Sequence, residues 1–270
     1  MVGTYKVITL CGSTRFRREF EEANKRLTLA GSIVISVGFF GYDDAQSVSA
    51  QTKRMLDDMH KRKIDMADEI YVINVGGYVG ASTRSEIAYA RAHNKPVHYL
   101  EPRTPVLESF RPATAEDLNA LWTLYADVCE QFKHDAYSPQ WELGFYPTKD
   151  DLRAYIEEEA LYVAHVGGEL RAAMVFLSHG EEASIHLLAV HPTLRGRHVG
   201  AELVDEALRL AYGQNMHTIR LDVVKGNLVA SRLYEAAGFC LVGTRAQTFD
   251  DQRTLEFDLY AYSTGCASLK

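Results

Sequence analysis

"LLAVHPTLRGRHVGAELVDEAL", Leu187 to Leu208, is the stretch on which the fold turns. Leu187–Val190 reads as the apolar end of a strand. Arg195-Gly196-Arg197-His198-Val199-Gly200 turns the chain, and Val199, Leu203, Ala207, Leu210 and Ala211 then recur at helical spacing. Glycines in such a turn let backbone approach a ligand closely, and the free N–H groups at a helix start favour an anion such as a pyrophosphate. Arg195 and Arg197 add charge-assisted bonds to phosphate. A plain strand and helix with surface arginines is the bland alternative, which the turn alone does not exclude.

A second stretch follows a strand candidate at 218–224: Asn227-x-x-Ala230-x-x-Leu233-Tyr234-Glu235-x-x-Gly238-Phe239. Together the two resemble the GCN5-related N-acetyltransferase (GNAT) family in motif order, spacing and strand content, over roughly residues 107–262. The resemblance implies acetyl-CoA as cofactor and direct acetyl transfer to a small-molecule amine. Backbone groups of Leu188 and Val190 would hold the pantetheine arm. The amides of Arg195, Gly196, Arg197, His198, Val199, Gly200 and Ala201 would cradle the pyrophosphate. Tyr234 would protonate the departing thiolate, with packing between Leu233 and Phe239 as its structural alternative. Asn227 would contact the cofactor or order the nearby loop. One departure is His198, which stands where the family pattern usually has its first glycine. An ammonium must lose a proton before it attacks, and a positioned His, carboxylate or water chain can take it. His186, on the strand lining the site, is the first candidate and Glu182 the second.

The first half carries a different pair of motifs. "VITLCGSTRF" runs from a strand into Gly12-Ser13-Thr14-Arg15, and "GASTRSEIAYARAHNKPV" spans Gly80 to Val97. The first offers backbone N–H groups, a hydroxyl and a guanidinium at one strand end, which suits a phosphate. The second brings Ser82, Thr83, Ser85 and Glu86 to a neighbouring strand end. Thr83-x-x-Glu86 also fits a helix capping box. The pair resembles the nucleoside 2-deoxyribosyltransferase superfamily and its deoxynucleoside monophosphate N-glycosidase branch, over roughly residues 5–102. That implies attack by Glu86 on an anomeric carbon. Gly12, Ser13, Arg15, Gly80, Ser82 and Ser85 would hold the substrate, and Tyr78 or Tyr42 would stack on it. His60 stands where the family usually has an Asp, as the acid or as the mark of a lost activity. Asp57 and Asp58 are out of register, and Asp65 lies one helical turn on. Two readings stay open: a glycosyl-transferring enzyme, or a non-catalytic nucleotide sensor that regulates the acetyltransferase. Members of this superfamily often complete their sites across a dimer, so a homo-oligomer is implied.

Strands alternating with helices before residue 104 predict a Rossmann-like parallel sheet flanked by helices. Consecutive strand candidates between 160 and 192 predict a GNAT-type mixed α/β domain after it. "EPRTPVLESFRP" (101–112) has three prolines and places the boundary between domains 1–104 and 105–270. Residues 1–105 hold 15 Lys+Arg and 12 Asp+Glu, net +3, against 14 and 24, net -10, after them. The basic excess suits a phosphorylated small molecule and is too small for a nucleic-acid footprint; the acidic half favours a cationic amine. The four cysteines, Cys11, Cys129, Cys240 and Cys266, form no CxxC pair, which argues against a metal site and for a reducing cytoplasm. No apolar run is long enough to span a bilayer, and no signal peptide is evident.

Overall fold

The computed structural model describes residues 2–40, 49–102, 104–133, 142–144, 146–248 and 254–264; Tyr42 and Cys266 lie outside them. The chain divides into two compact units, residues 1–104 with 208–213, and 105–207 with 214–270.

The first unit runs β1 (Val7–Gly12), α1 (Arg17–Leu29), β2 (Ile33–Ile35), α2 (Ala50–Met66), β3 (Glu69–Ile73), α3 (Ala81–Ala92) and β4 (Val97–Tyr99). Its sheet has the order β2-β1-β3-β4, parallel throughout. Alternation along β1 assigns its faces. Leu10 packs with Phe20 and Ala23 of α1, whereas Cys11 packs with Ile64 of α2 and Ile87 and Ala90 of α3. From β1 the chain winds one way to β2 and then back across to β3, so the strand order reverses at β1/β3. Ligands of open parallel sheets bind outside the carboxyl ends of the strands at such a switch point.

One sequence expectation is corrected in this unit. Thr83 does not cap α3: Gly80 is the N-cap, Thr83 is buried a turn further in, and Glu86 is free of any capping role. The Met55, Met59 and Met66 face of α2 points outward, each about half-exposed, while His60 and Ile64 face the sheet.

After residue 104 the chain forms β5 (Ser109–Pro112), α4 (Leu118–Phe132), α5 (Lys149–Glu157), β6 (Leu161–Val166), β7 (Glu169–His179), β8 (Glu182–Val190), α6 (Val199–Gly213), β9 (Thr218–Val224), α7 (Leu228–Ala236), β10 (Cys240–Thr248) and β11 (Thr254–Ser263), all in the second unit except the last residues of α6, 208–213. The sheet order is β10-β11-β9-β8-β7-β6-β5. Every pairing is antiparallel except β8 with β9, which α6 connects. Val199, Leu203 and Ala207 on one side of α6 are buried, as their spacing requires. No helix among the described residues is long and apolar enough to cross a membrane.

The entry to α4 is held by Asp117. Its carboxylate accepts from the Thr114 amide at 2.8 Å and from both Arg111 guanidinium nitrogens at 2.7 and 2.8 Å. Arg111 beside it lowers its pKa to about 2 from the ordinary 3.8. A depressed carboxylate contributes stability above its unfolded pKa and loses it as pH falls through the folded value. Asp117→Asn therefore costs about 1–2 kcal/mol at pH 7, allowing for solvent at Arg111. The deficit shrinks towards zero as pH approaches 2, read by denaturant melts of both proteins across that range.

Candidate active sites

In the second unit the site is a break between two strands. β8 pairs with β9 only from Glu182 to Ser184, although β8 continues to Val190 and β9 to Val224. Beyond Ser184 the facing backbone edges part. The β7–β8 ladder also slips between Ala173 and Val175, opposite Leu187, whose φ is +49°. A left-handed conformation costs a branched residue about 1–2 kcal/mol. Core packing and one buried hydrogen bond offset it: the Tyr125 hydroxyl donates to the Leu187 carbonyl at 2.7 Å. Tyr125→Phe leaves that carbonyl unpaired and costs about 1–3 kcal/mol. A lowered melting temperature is the expected readout in thermal melts of both proteins.

The turn before α6 supplies amides, but fewer than the spacing suggests. Arg195 N–H donates to Pro192, Arg197 to Leu194 and Ala201 to His198. Gly196, His198, Val199 and Gly200 are left as the candidate donors for an anion. Gly196 (φ +74°) and His198 (φ +63°) both take the left-handed conformation, so His198 adopts a backbone geometry that glycine holds at less cost. A Cβ on Gly200 would sit 3.3 Å from Leu233, which fixes how closely this end of α6 packs on α7. Leu188 and Val190 lie half-buried along the separated part of β8.

Tyr234, on α7, is buried edge-on to Phe239 at 5.6 Å, and burial alone pushes its phenol up. Asn227 caps α7, its Oδ1 accepting from the Ala230 amide at 3.1 Å. His186 sits on β8 with Nε2 2.9 Å from Ser184 Oγ, and burial lowers its pKa, leaving it neutral at pH 7. Glu182 is held by Arg220 through bonds of 3.0 and 2.9 Å and stays ionised below the usual range, so it is the weaker candidate base. Asp127, Glu130, Gln131 and His191 line a hollow beside the end of β8. Tyr125 was not singled out by spacing; a tyrosine amid core residues of a helix carries no signal of its own.

In the first unit, Gly12 ends β1 where a Cβ would lie 2.9 Å from the Ile73 carbonyl oxygen. Arg15 places its guanidinium 3.6 Å above the centre of the Tyr78 ring. Ser13 precedes a short 3-10 turn and its hydroxyl caps nothing. Ser82 Oγ accepts from Lys53 Nζ at 3.0 Å, and Ser85 is half-buried on α3. The Gly76 and Gly77 amides donate to the Glu101 carboxylate at 3.0 and 3.1 Å, so that turn is already occupied. Asp65 accepts from the Tyr89 hydroxyl at 2.7 Å.

His60 Nε2 lies 3.8 Å from Glu86 Oε1 and 3.6 Å from Cys11 Sγ. Burial pushes the Glu86 carboxyl up to about 8 and the His60 imidazole down to about 4, and pushes the Cys11 thiol up. At neutral pH all three groups are therefore held uncharged. Glu86 Oε2 is buried with no hydrogen-bond partner. Sequence reasoning found His60 and Glu86 but not Cys11 or Lys53, which only the fold brings near them.

Residues 121–239 match the Acetyltransferase (GNAT) family. No curated protein matches the chain. Similar solved structures include the ribosomal-protein-S18-alanine N-acetyltransferase from Escherichia coli, 18% identical over 60% of this chain and 97% of that one, TM-score 0.48. An N-acetyltransferase from Staphylococcus aureus Mu50 is 17% identical over 58% and 98%, TM-score 0.48. Salmonella typhimurium yncA, solved with its cofactor acetyl-CoA, is 18% identical over 58% and 93%, TM-score 0.47. Within the second unit, residues 121–239 match the GNAT acetyltransferase family, which uses acetyl-CoA.

Proposed function

We propose that this chain, with a GNAT acetyltransferase domain over residues 121–239, transfers acetyl from acetyl-CoA to a small cationic amine and binds a deoxynucleoside or deoxynucleotide in its first unit. The parting of β8 from β9 beside the free amides at the start of α6 carries the acetyltransferase reading. Leu188 and Val190 would line the pantetheine arm; the Gly196, His198, Val199 and Gly200 amides, with Arg197, would meet the pyrophosphate. Bound acetyl-CoA supplies the acetyl group as an activated thioester. His186, neutral and half-buried, takes the proton from the acceptor ammonium. Tyr234 holds a proton for the leaving sulfur. The net charge of -10 after residue 105, with Asp127 and Glu130 beside the end of β8, favours an acceptor that arrives as a cation.

His186→Gln should lower kcat by about a hundredfold while leaving the KM for acetyl-CoA nearly unchanged. A protonated imidazole cannot accept, so wild-type kcat falls on the acid side, at a pH below the ordinary histidine value of 6.5. The variant lacks that limb. A thiol-release assay across pH reads both; a retained limb assigns the base elsewhere.

For the first unit, the switch-point position of Gly12–Arg15 and the Arg15–Tyr78 stack support a phosphorylated sugar or nucleoside. Glu86 would attack the anomeric carbon and displace the base, with His60 beside it at 3.8 Å, where burial holds the imidazole neutral and makes it a weak acid partner. The second reading, a nucleotide sensor, is favoured by the burial that keeps Glu86 protonated at neutral pH. Incubation of deoxynucleotides with wild type and Glu86→Ala separates them. Free base from wild type only supports the enzyme; tight binding without base release from either protein supports the sensor.

A further inference from the structure

Three side chains far apart in sequence converge in the first unit. Cys11 Sγ at the end of β1, His60 Nε2 on α2 and the Glu86 carboxylate on α3 all lie within 4.8 Å of one another, and all three residues are buried. We propose that Cys11, His60 and Glu86 bind a borderline divalent cation of the zinc type, with a fourth position for water or an outside ligand. The linear spacing of the cysteines argued against a metal, because the set is assembled by folding.

The distances fit. A tetrahedral ion with Zn–S of about 2.3 Å and Zn–N or Zn–O of about 2.0–2.2 Å keeps its ligand atoms about 3.3–3.6 Å apart. The Sγ–Nε2 separation of 3.6 Å and the Nε2–Oε1 separation of 3.8 Å are already close to those edges. The third separation, from Cys11 Sγ to the Glu86 carboxylate, lies within 4.8 Å. Thiolate and imidazole together select zinc or cobalt over magnesium or calcium.

Two independent observations point the same way. The His60 ring turns Nε2 towards both Cys11 Sγ and Glu86 Oε1, at 3.6 and 3.8 Å. One ring nitrogen thus faces both other side chains, the placement a ligating imidazole needs. Glu86 Oε2 is buried without a partner, which a simple hydrogen-bonded core trio does not explain. Charge closes as well: a dication with one thiolate, one carboxylate and a neutral imidazole sums to zero, as a buried site demands. The thiol and carboxyl protons leave to solvent as the ion enters. The proposal does not depend on the nucleotide reading; a loaded ion engages the Glu86 carboxylate and keeps it from attacking a sugar.

The test is cobalt titration of the whole chain after chelator stripping, with no nucleotide present. The expected result is one Co²⁺ per chain, a thiolate-to-cobalt charge-transfer band and tetrahedral d–d bands, all displaced by Zn²⁺. Cys11→Ser should lose the charge-transfer band. Glu86→Gln and His60→Gln should weaken binding by about tenfold or more, with circular dichroism confirming that each folds. Replacing Cys240 or Cys266 with Ser should change nothing. No charge-transfer band in wild type, a band that survives Cys11→Ser, or affinity unchanged in both Glu86→Gln and His60→Gln overturns the proposal. Base release from deoxynucleotides is scored separately, so the two readings fail independently.

Discussion

Tyr234→Phe lowers kcat for acetyl transfer by about a hundredfold or more, the range expected when a positioned general acid is removed. The phenol is buried against Phe239, and desolvation keeps it protonated at every working pH. The same desolvation raises the pKa of a thiolate formed beside it, so proton transfer to sulfur is less uphill than solution values imply. Removing only the oxygen keeps the ring and its edge-on contact. KM for acetyl-CoA and the melting temperature should therefore change little. A loss shared equally between kcat and stability would mean that Tyr234 only packs between Leu233 and Phe239.

Gly12→Ala should destabilise the first unit by about 3 kcal/mol or more. The new Cβ would lie 2.9 Å from the Ile73 carbonyl oxygen, 3.0 Å from Ile73 Cβ and 3.1 Å from the Phe20 ring, at a φ of +156°. Backbone on the neighbouring strand cannot yield as a flexible side-chain end can. β1 is also the strand that bears Cys11 and positions the turn to Arg15, so its shift is felt throughout the switch point. Amide hydrogen exchange along β1 and β3 reads the loss. Exchange unchanged there would mean that the close approach at Gly12 is not a constraint.

Much of the second unit is legible in its sequence because local and global signals agree. The β8 apolar run, the Gly/Arg turn and the α6 stripe each obey one periodicity. Thr114 and Asp117 form the capping box that their spacing suggests. In α3 the same pattern misleads. Gly80 takes the extended conformation of an N-cap first, which places Thr83 inside the helix and releases Glu86 from capping. In α2 the methionines mark the outer face, because the inward face is built from Ile64 and a histidine that hydropathy counts as polar. Three features have no sequence signal: the left-handed Leu187, the internal use of the Arg195, Arg197 and Ala201 amides, and the meeting of Cys11 with His60 and Glu86. Each depends on which backbone groups or distant side chains tertiary packing brings into reach.

The most direct measurement is release of free CoA thiol from acetyl-CoA by the whole chain against a panel of cationic, neutral and acidic amines, with mass spectrometry of the acetylated product. Turnover with cationic amines, abolished or nearly so in Tyr234→Phe, is the predicted result. No thiol release above the hydrolysis background with any amine, or turnover confined to neutral and acidic amines, would contradict it.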